Sequence, residues 1–340
     1  IKQIILFLFM ISDDLLKKLD EKQSPCVVGL DPDITKFPEQ FLRRTSDFSE
    51  IGTAITAFNY GIIDAIHDLV PAVKPQIAFY EQYGAPGILA FENTIAYAKS
   101  KGLIVITDAK RNDIGNTSKT YANGHLGKVE TSQGMQKSFD ADFLTVNPYM
   151  GMDSLEPFVD VCKEYHKGLF VLVKTSNKGS GDFQDRLVEL TDEEAIVLCD
   201  LGFQNSNTLN KKTELYNLVG MKVNQVAQTF IGERGYSSIG AVIGATYPEQ
   251  AEILRKIMPN NMFLVPGYGA QGGGAKDVIP CFNEDGYGAG INSSRGVLYA
   301  HLKHNSPKKF QEYSRQAVLE MNLDIKSALK DANKYPSTWD

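Results

Sequence analysis

Eight short apolar runs, separated by polar stretches and helical patterns, constrain the fold more than any other feature of this sequence. Short apolar runs bounded by Gly, Pro or Asp are typical of strands buried on both faces. Strands that alternate with helices form parallel sheets, and eight such strands close into a barrel. The runs are Cys26–Leu30, Ala72–Ala78, Leu103–Ile106, Phe143–Val146, Leu169–Val173, Ile239–Gly244, Met262–Val265 and Tyr287–Ile291.

The competing architecture is a doubly wound open sheet, which in its dinucleotide-binding form needs G-x-G-x-x-G after the first strand. The segment Gly29-Leu30-Asp31-Pro32 does not supply that motif. We therefore predict one α/β domain, a single (β/α)8 TIM barrel over residues 21–332, preceded by a leader and helix at 1–20. Residues 333–340 are predicted to be a tail, and residues from about 178 to 212 an insertion after the fifth strand.

Helical periodicity accounts for the segments between the apolar runs. A further helix is expected from about Ser12, and a short helix is expected within the insertion, over 191–200. The longer helices are predicted over about 51–69, 84–99, 116–137, 154–165, 214–231 and 248–258, and from about 307 onward.

Composition excludes several classes of protein. The net charge of −6 and the isoelectric point near 5.5 argue against a nucleic-acid partner. The four cysteines form no C-x-x-C pair and the five histidines show no zinc-ligand spacing, which indicates reduced thiols and no metal site. The apolar run Ile4–Ile11 is too short to span a membrane and lacks a cleavage site. We predict a cytoplasmic protein without a membrane partner, whose native start lies near Met10.

Polar residues follow nearly every predicted strand. In a (β/α)8 barrel the carboxyl ends of the strands form the active-site face, so these side chains are expected to converge. Each alone has a plainer interpretation, such as a turn residue or a lysine that extends to solvent. The residues at the strand ends are Asp31, Lys74, Asp108, Lys110, Asn147, Thr175, Pro266, Gln271 and Arg295.

The third strand ends in the densest group of charges, Asp108-Ala109-Lys110, followed by Asp113. Side chains alternate across a strand, so Asp108 and Lys110 are expected on one side near its tip. Burying a charge costs several kcal/mol unless it is paired, and such clusters are common at functional sites. The alternative is an ordinary ion pair at a strand end.

A second feature is typical of phosphate binding. The stretch Pro266–Gly274 is rich in glycine, which lets backbone N–H groups approach an anion. Arg295 ends the eighth strand and offers a fixed pair of donors. Since the loops after strands seven and eight hold phosphate in many barrels, we predict a phosphate site there rather than a plain flexible loop.

Together these motifs resemble the orotidine 5′-phosphate decarboxylase family, in its longer variant. The resemblance runs in order from about Cys26 to Ala300. D-x-K-x-x-D alone is shared with sister enzymes, whereas the ordered set is specific. The matching segments are Gly29–Asp33, Lys74–Phe79, Asp108–Gly115, Val146–Tyr149, Leu172–Asn177, Val265–Gly273 and Asn292–Gly296.

The resemblance implies a role for each site residue in a homodimer. Lys74, Asp108 and Lys110 would form a charged array with Asp113 of the second subunit, and Ile114 and Thr117 would cross the same interface. Asp31 and Lys74 would hold the ribose. Thr175 and Gln271 would bind the pyrimidine, while Gln271 and Arg295 would hold the phosphate.

The implied reaction is the decarboxylation of orotidine 5′-monophosphate to uridine 5′-monophosphate, the last step of de novo pyrimidine biosynthesis. It would need no metal and no cofactor, with Lys110 as the proton donor to the C6 carbanion. Two alternatives remain open: a Mg-dependent sugar-phosphate aldolase or β-keto-acid decarboxylase of the same barrel type, and a non-catalytic barrel that binds a phosphate ligand. A non-covalent association with orotate phosphoribosyltransferase is a further possibility.

Overall fold

The computed structural model describes residues 10–43, 45–203, 205–269, 272–304 and 306–340. Eight parallel strands close into a barrel in chain order, with the last strand paired to the first. This confirms the predicted (β/α)8 fold. The strands are β1 Cys26–Leu30, β2 Ala72–Pro75, β3 Ile104–Arg111, β4 Phe143–Val146, β5 Gly168–Lys174, β6 Ser237–Ile243, β7 Asn261–Pro266 and β8 Ala289–Ser293.

Helices surround the barrel because each presents one apolar face to it. In the helix after β1, the fully buried residues Ile55, Phe58, Ile62 and Ile66 recur every three to four positions. The longer helices are α1 Ile11–Lys22, α2 Phe48–Ile66, α3 Gly84–Ser100, α4 Gly115–His125, α5 Glu156–Tyr165, α6 Asp192–Asp200, α7 Leu215–Ala227, α8 Pro248–Ile257 and α9 Phe310–Asp331.

The helix predicted over 116–137 is wrong in its second half. Helix α4 ends at His125, and two short antiparallel strands follow, Val129–Thr131 and Gly134–Gln136. Gly134 has a φ of +100° at the turn between them, a conformation that favours glycine. This stretch is therefore an exposed hairpin and not the second half of a helix.

The insertion after β5 is ordered into small elements. It begins with a 3₁₀ turn at Lys178–Asp182, and two short antiparallel strands, Leu187–Glu189 and Lys212–Glu214, bracket α6. Thr191 caps α6 by accepting a hydrogen bond from the Glu194 N–H, as the predicted helix start requires.

Helix α1 lies against the amino end of the barrel. Leu15, Leu16 and Leu19 are buried, and the Ser12 hydroxyl donates to the Tyr236 carbonyl at 2.9 Å. At the other end of the described chain, the Trp339 indole N–H donates to Asp20 of α1 at 3.0 Å. The apolar leader, residues 1–9, lies outside the described residues. Among the helices that are described, none is long and apolar enough to cross a membrane.

Candidate active site

A cavity of about 860 Å³ opens at the carboxyl ends of the barrel strands. The structure brings seven of the predicted site residues to its wall, and Asn147 lines it too. Gln271 lies outside the described residues. The seven are Asp31, Lys74, Asp108, Lys110, Thr175, Pro266 and Arg295.

Asp108 is the centre of the charged cluster in this cavity. One carboxylate oxygen, Oδ2, accepts a hydrogen bond from Lys74 Nζ at 2.7 Å, and Oδ1 accepts one from Lys110 Nζ at 2.6 Å. Lys74 and Asp108 are both buried, whereas the Lys110 side chain is 45% exposed and reaches the open side of the cluster. The cluster thus presents a lysine ammonium to the cavity.

The ionisation of the cluster follows from its geometry. Burial raises the pKa of the Asp108 carboxyl, but the ammonium groups of Lys74 and Lys110 outweigh burial and hold that pKa well below its usual range. Burial also lowers the pKa of Lys74, and the negative charges of Asp108 and Asp31 outweigh it, so the pKa of Lys74 is raised. At neutral pH Asp108 is therefore a carboxylate and Lys74 an ammonium.

The backbone of β3 is irregular where the cluster lies. Thr107 pairs with Leu144 on β4, and the next paired residues are Arg111 and Val146, so a bulge separates the two pairs. Lys110 lies in this bulge with a φ of +49°, the left-handed region that non-glycine residues seldom occupy. Bulges and strained residues of this kind are common beside active sites.

The glycine loop after β7 folds back on itself. Gly267 and Gly269 have φ values of +105° and +72°, and the Gly269 N–H donates to the Gly273 carbonyl at 2.7 Å. Arg295 follows the neighbouring strand β8 and is exposed, and its guanidinium has no hydrogen bond or ion pair with any residue that the structure describes. A guanidinium next to such a loop can bind a phosphate group.

On the opposite wall, the start of the insertion holds Thr175. The side chain of Gln184 accepts a hydrogen bond from the Thr175 N–H and donates one to its hydroxyl, both at 3.0 Å. The neighbouring Lys174 is fully buried and forms an ion pair with Asp185 at 2.5 Å. The insertion is thus fastened to the end of β5.

The comparisons with known proteins agree with this geometry. The family model described as Orotidine 5′-phosphate decarboxylase / HUMPS family matches residues 26–310. The chain belongs to this family. An orotidine 5′-phosphate decarboxylase of Clostridium novyi is 40% identical over 317 residues, covering 93% of this chain and 98% of that protein. One of Rhodopirellula baltica is 42% identical over 306 residues, covering 88% and 93%.

A solved structure gives the same result at the level of the fold. The OMP decarboxylase of Leishmania donovani superposes on this chain with a TM-score of 0.63 and 27% sequence identity, covering 93% of this chain and 99% of that one. The family resemblance predicted from the sequence motifs is therefore confirmed.

Three residues predicted for the orotidine 5′-phosphate decarboxylase site do not line the cavity of their own chain. Asp113, Ile114 and Thr117 lie at the start of α4, where the Asp113 carboxylate accepts the Ile114 N–H at 2.8 Å. The Ile114 side chain is 57% exposed in the single chain. The chain does not complete this part of the predicted site by itself.

Two cavity residues were missed by sequence reasoning for this decarboxylase-family site. Thr145 lies inside β4, where it reads as an ordinary strand residue, and it contacts Asp108 directly. Asn292 is buried at the end of β8, and among the described residues its Oδ1 finds no hydrogen-bond partner, as is also true of Asp31 Oδ1. The position of Asn292 one strand from Asp31 was the available signal, since buried polar atoms in a cavity commonly bind ligand.

Proposed function

We propose that this chain catalyses the decarboxylation of orotidine 5′-monophosphate to uridine 5′-monophosphate and carbon dioxide, the last step of de novo pyrimidine biosynthesis, without a metal or cofactor. The observation that carries the proposal is the Asp108 carboxylate held between two lysines at the base of a nucleotide-sized cavity. Membership in the family and the names of its relatives support this activity over an aldolase or a non-catalytic barrel.

The placing of the nucleotide in the cavity follows from the chemistry of its walls. Arg295 and the glycine loop, together with Gln271, would bind the phosphate. Asp31, whose Oδ1 has no hydrogen-bond partner among the described residues, and Lys74 would bind the ribose hydroxyls. Thr175, held by Gln184, would bind the pyrimidine with Gln271, and Pro266 would pack beside it. The C6 carboxylate of the base would then lie at Asp108 and Lys110.

The chemical step is a charge rearrangement. The C6–carboxylate bond breaks, its electron pair stays on C6, and carbon dioxide leaves. The ionised Asp108 would repel the substrate carboxylate, a ground-state effect whose weight in enzymes is contested. The Lys110 ammonium would stabilise the C6 carbanion and then donate its proton to it, and solvent would reprotonate the lysine. Phosphate binding far from C6 would contribute to assembling the site.

The active unit would be a homodimer. Support comes from Asp113, Ile114 and Thr117, which follow the catalytic strand directly yet lie outside their own cavity. In the proposed dimer these residues enter the partner's cavity, and Asp113 completes the charged array.

The buried thiols of Cys26, Cys162 and Cys281 are consistent with the cytoplasm as the place of the reaction. A non-covalent association with orotate phosphoribosyltransferase, which supplies the substrate, stays a proposal.

The direct test is the ultraviolet absorbance of orotidine 5′-monophosphate in the presence of purified protein and excess EDTA. We expect rapid loss of substrate absorbance that the chelator does not change. No loss from folded protein, followed by activity on pentulose or hexulose phosphates after Mg²⁺ is added, would favour the aldolase instead. Phosphate-ligand binding without any turnover would favour the non-catalytic barrel.

A further inference from the structure

The hydroxyl of Thr145 forms hydrogen bonds both to the Asp108 carboxylate and to the backbone of β3 beside it. It donates a hydrogen bond to Asp108 Oδ1 at 2.9 Å and accepts one from each of the backbone N–H groups of Ala109 and Lys110, both at 3.0 Å. A threonine hydroxyl has one proton and two lone pairs, so these three bonds use its full capacity. The side chain is 1% exposed, which leaves little room for water to replace it.

The bulge in β3 explains why such a group is needed. Three residues of β3, Asp108 to Lys110, face a single residue of β4 between the flanking pairs. Two consecutive N–H groups of the bulge bind the Thr145 side chain instead of backbone carbonyls. Without that hydroxyl they would lose their partner at a site where buried donors need one.

The same arrangement fixes Lys110 at two points. Its backbone N–H binds Thr145 Oγ1, and its ammonium binds Asp108 Oδ1, the carboxylate oxygen that also receives the Thr145 proton. A lysine with a φ of +49° is held in a costly conformation, which persists only when its surroundings determine it. Thr145 is the side chain that touches both the strained backbone and the carboxylate.

We propose that Thr145 is a positioning residue for decarboxylation, which holds the bulged backbone and Asp108 so that the Lys110 ammonium meets C6 of the substrate. This rests on the proposed function. Positioning errors of about 1 Å can cost on the order of 100-fold in rate. Loss of the hydroxyl should therefore lower kcat far more than it weakens binding of the nucleotide, whose phosphate and base are held by other residues.

The test compares Thr145→Val, which keeps the shape and removes the hydroxyl, with Thr145→Ser, which keeps the hydroxyl. We expect kcat to fall at least tenfold in the valine variant, with KM and the affinity for uridine 5′-monophosphate within threefold of wild type. The serine variant should stay within threefold of wild type in kcat. Calorimetric titration with uridine 5′-monophosphate measures binding independently of turnover.

Thr107→Val is the matched control. Thr107 is also buried on β3, but its hydroxyl donates to the Phe143 carbonyl at 3.3 Å and does not touch the cluster. Its variant should lose some thermal stability and keep kcat. A valine variant at 145 with kcat within threefold of wild type would overturn the proposal, as would a serine variant impaired as much as valine. A wild-type protein that binds the product but does not turn over substrate would instead overturn the proposed function, and the positioning role with it.

Discussion

At the scale of single residues, Lys110 is the proposed proton donor, and its contribution to turnover should be separable from nucleotide binding. Replacing it with Ala removes the proposed proton donor while Arg295 and the glycine loop stay in place. We expect turnover to fall below detection and the affinity for uridine 5′-monophosphate to stay within about tenfold. Steady-state absorbance assays and calorimetry measure the two quantities, and activity within tenfold of wild type would refute the role.

His125 predicts a pH dependence of stability that is independent of the active site. Burial, and to a lesser degree the charge of Arg111, lowers the pKa of His125 to about 3. The folded protein thus disfavours the protonated imidazole. The contribution of His125 to the free energy of unfolding is therefore complete above the unfolded pKa near 6.5 and is lost as pH falls from there towards 3. The free energy of unfolding should decrease by up to about 1.4 kcal/mol per pH unit in that window.

Denaturant unfolding at pH 7, 6 and 5 measures this slope, and His125→Gln is the comparison because glutamine does not titrate. The slope attributable to His125 is the difference between the two proteins. Identical slopes in wild type and variant would show that His125 does not cause it.

At the scale of elements, the insertion after β5 depends on one buried ammonium. Lys174 is 0% exposed and binds Asp185 and the Ser180 hydroxyl, and the Tyr247 ring centroid lies 4.3 Å from its Nζ. Lys174→Met should free the segment 178–186 and with it the Gln184 contacts to Thr175. We expect faster amide exchange there and a KM raised several-fold, with kcat little changed.

Lys178→Met is the control for that change. Lys178 is exposed at the start of the same segment, so its variant removes a positive charge without removing the anchor. Equal effects of the two substitutions would attribute the change to charge alone and would contradict the anchoring role of Lys174.

The secondary-structure elements differ in how far the sequence predicts them. The strands were predictable because each is a buried apolar run, as in β1 and β6, where every residue is buried. The hairpin after α4 was not, because its residues are all exposed and show no buried apolar run, and a turn at Gly134 competes with helical continuation.

The residues of the candidate site also differ in how far the sequence predicts them. Charged residues at strand ends, such as Asp31, Lys74 and Arg295, were predictable because the barrel brings all strand ends to one face. Thr145 was not, because its importance depends on a bulge that places two residues of β3 out of register, and alternation alone does not predict a bulge. The φ of Lys110 was hidden for the same reason.

At the scale of the whole molecule, the proposed sharing of the active site between two subunits predicts complementation between inactive chains. If Asp113 acts in the partner's cavity, a heterodimer of Lys110→Ala and Asp113→Ala chains contains one site with both native residues. Mixing the two inactive homodimers after mild dissociation should therefore restore up to about half of the activity per heterodimer. If Asp113 acts within its own chain, neither site is complete and the mixture stays inactive.

That experiment carries its own control. Refolding each variant with itself under the same conditions gives the background, and size-exclusion chromatography shows whether subunits have exchanged. Exchange without recovered activity would contradict the proposed interface.

The left-handed backbone conformation at Lys110 lowers the stability of the folded protein at the position of the proposed proton donor. Glycine adopts this conformation freely and asparagine tolerates it, whereas lysine pays on the order of 1 kcal/mol. A selection or a design calculation that rewards stability alone would therefore tend to replace the residue that we propose as the proton donor. Engineering this protein for heat resistance should hold position 110 fixed and seek its gains elsewhere, and a variant library sorted only by melting temperature should accumulate inactive chains at that position.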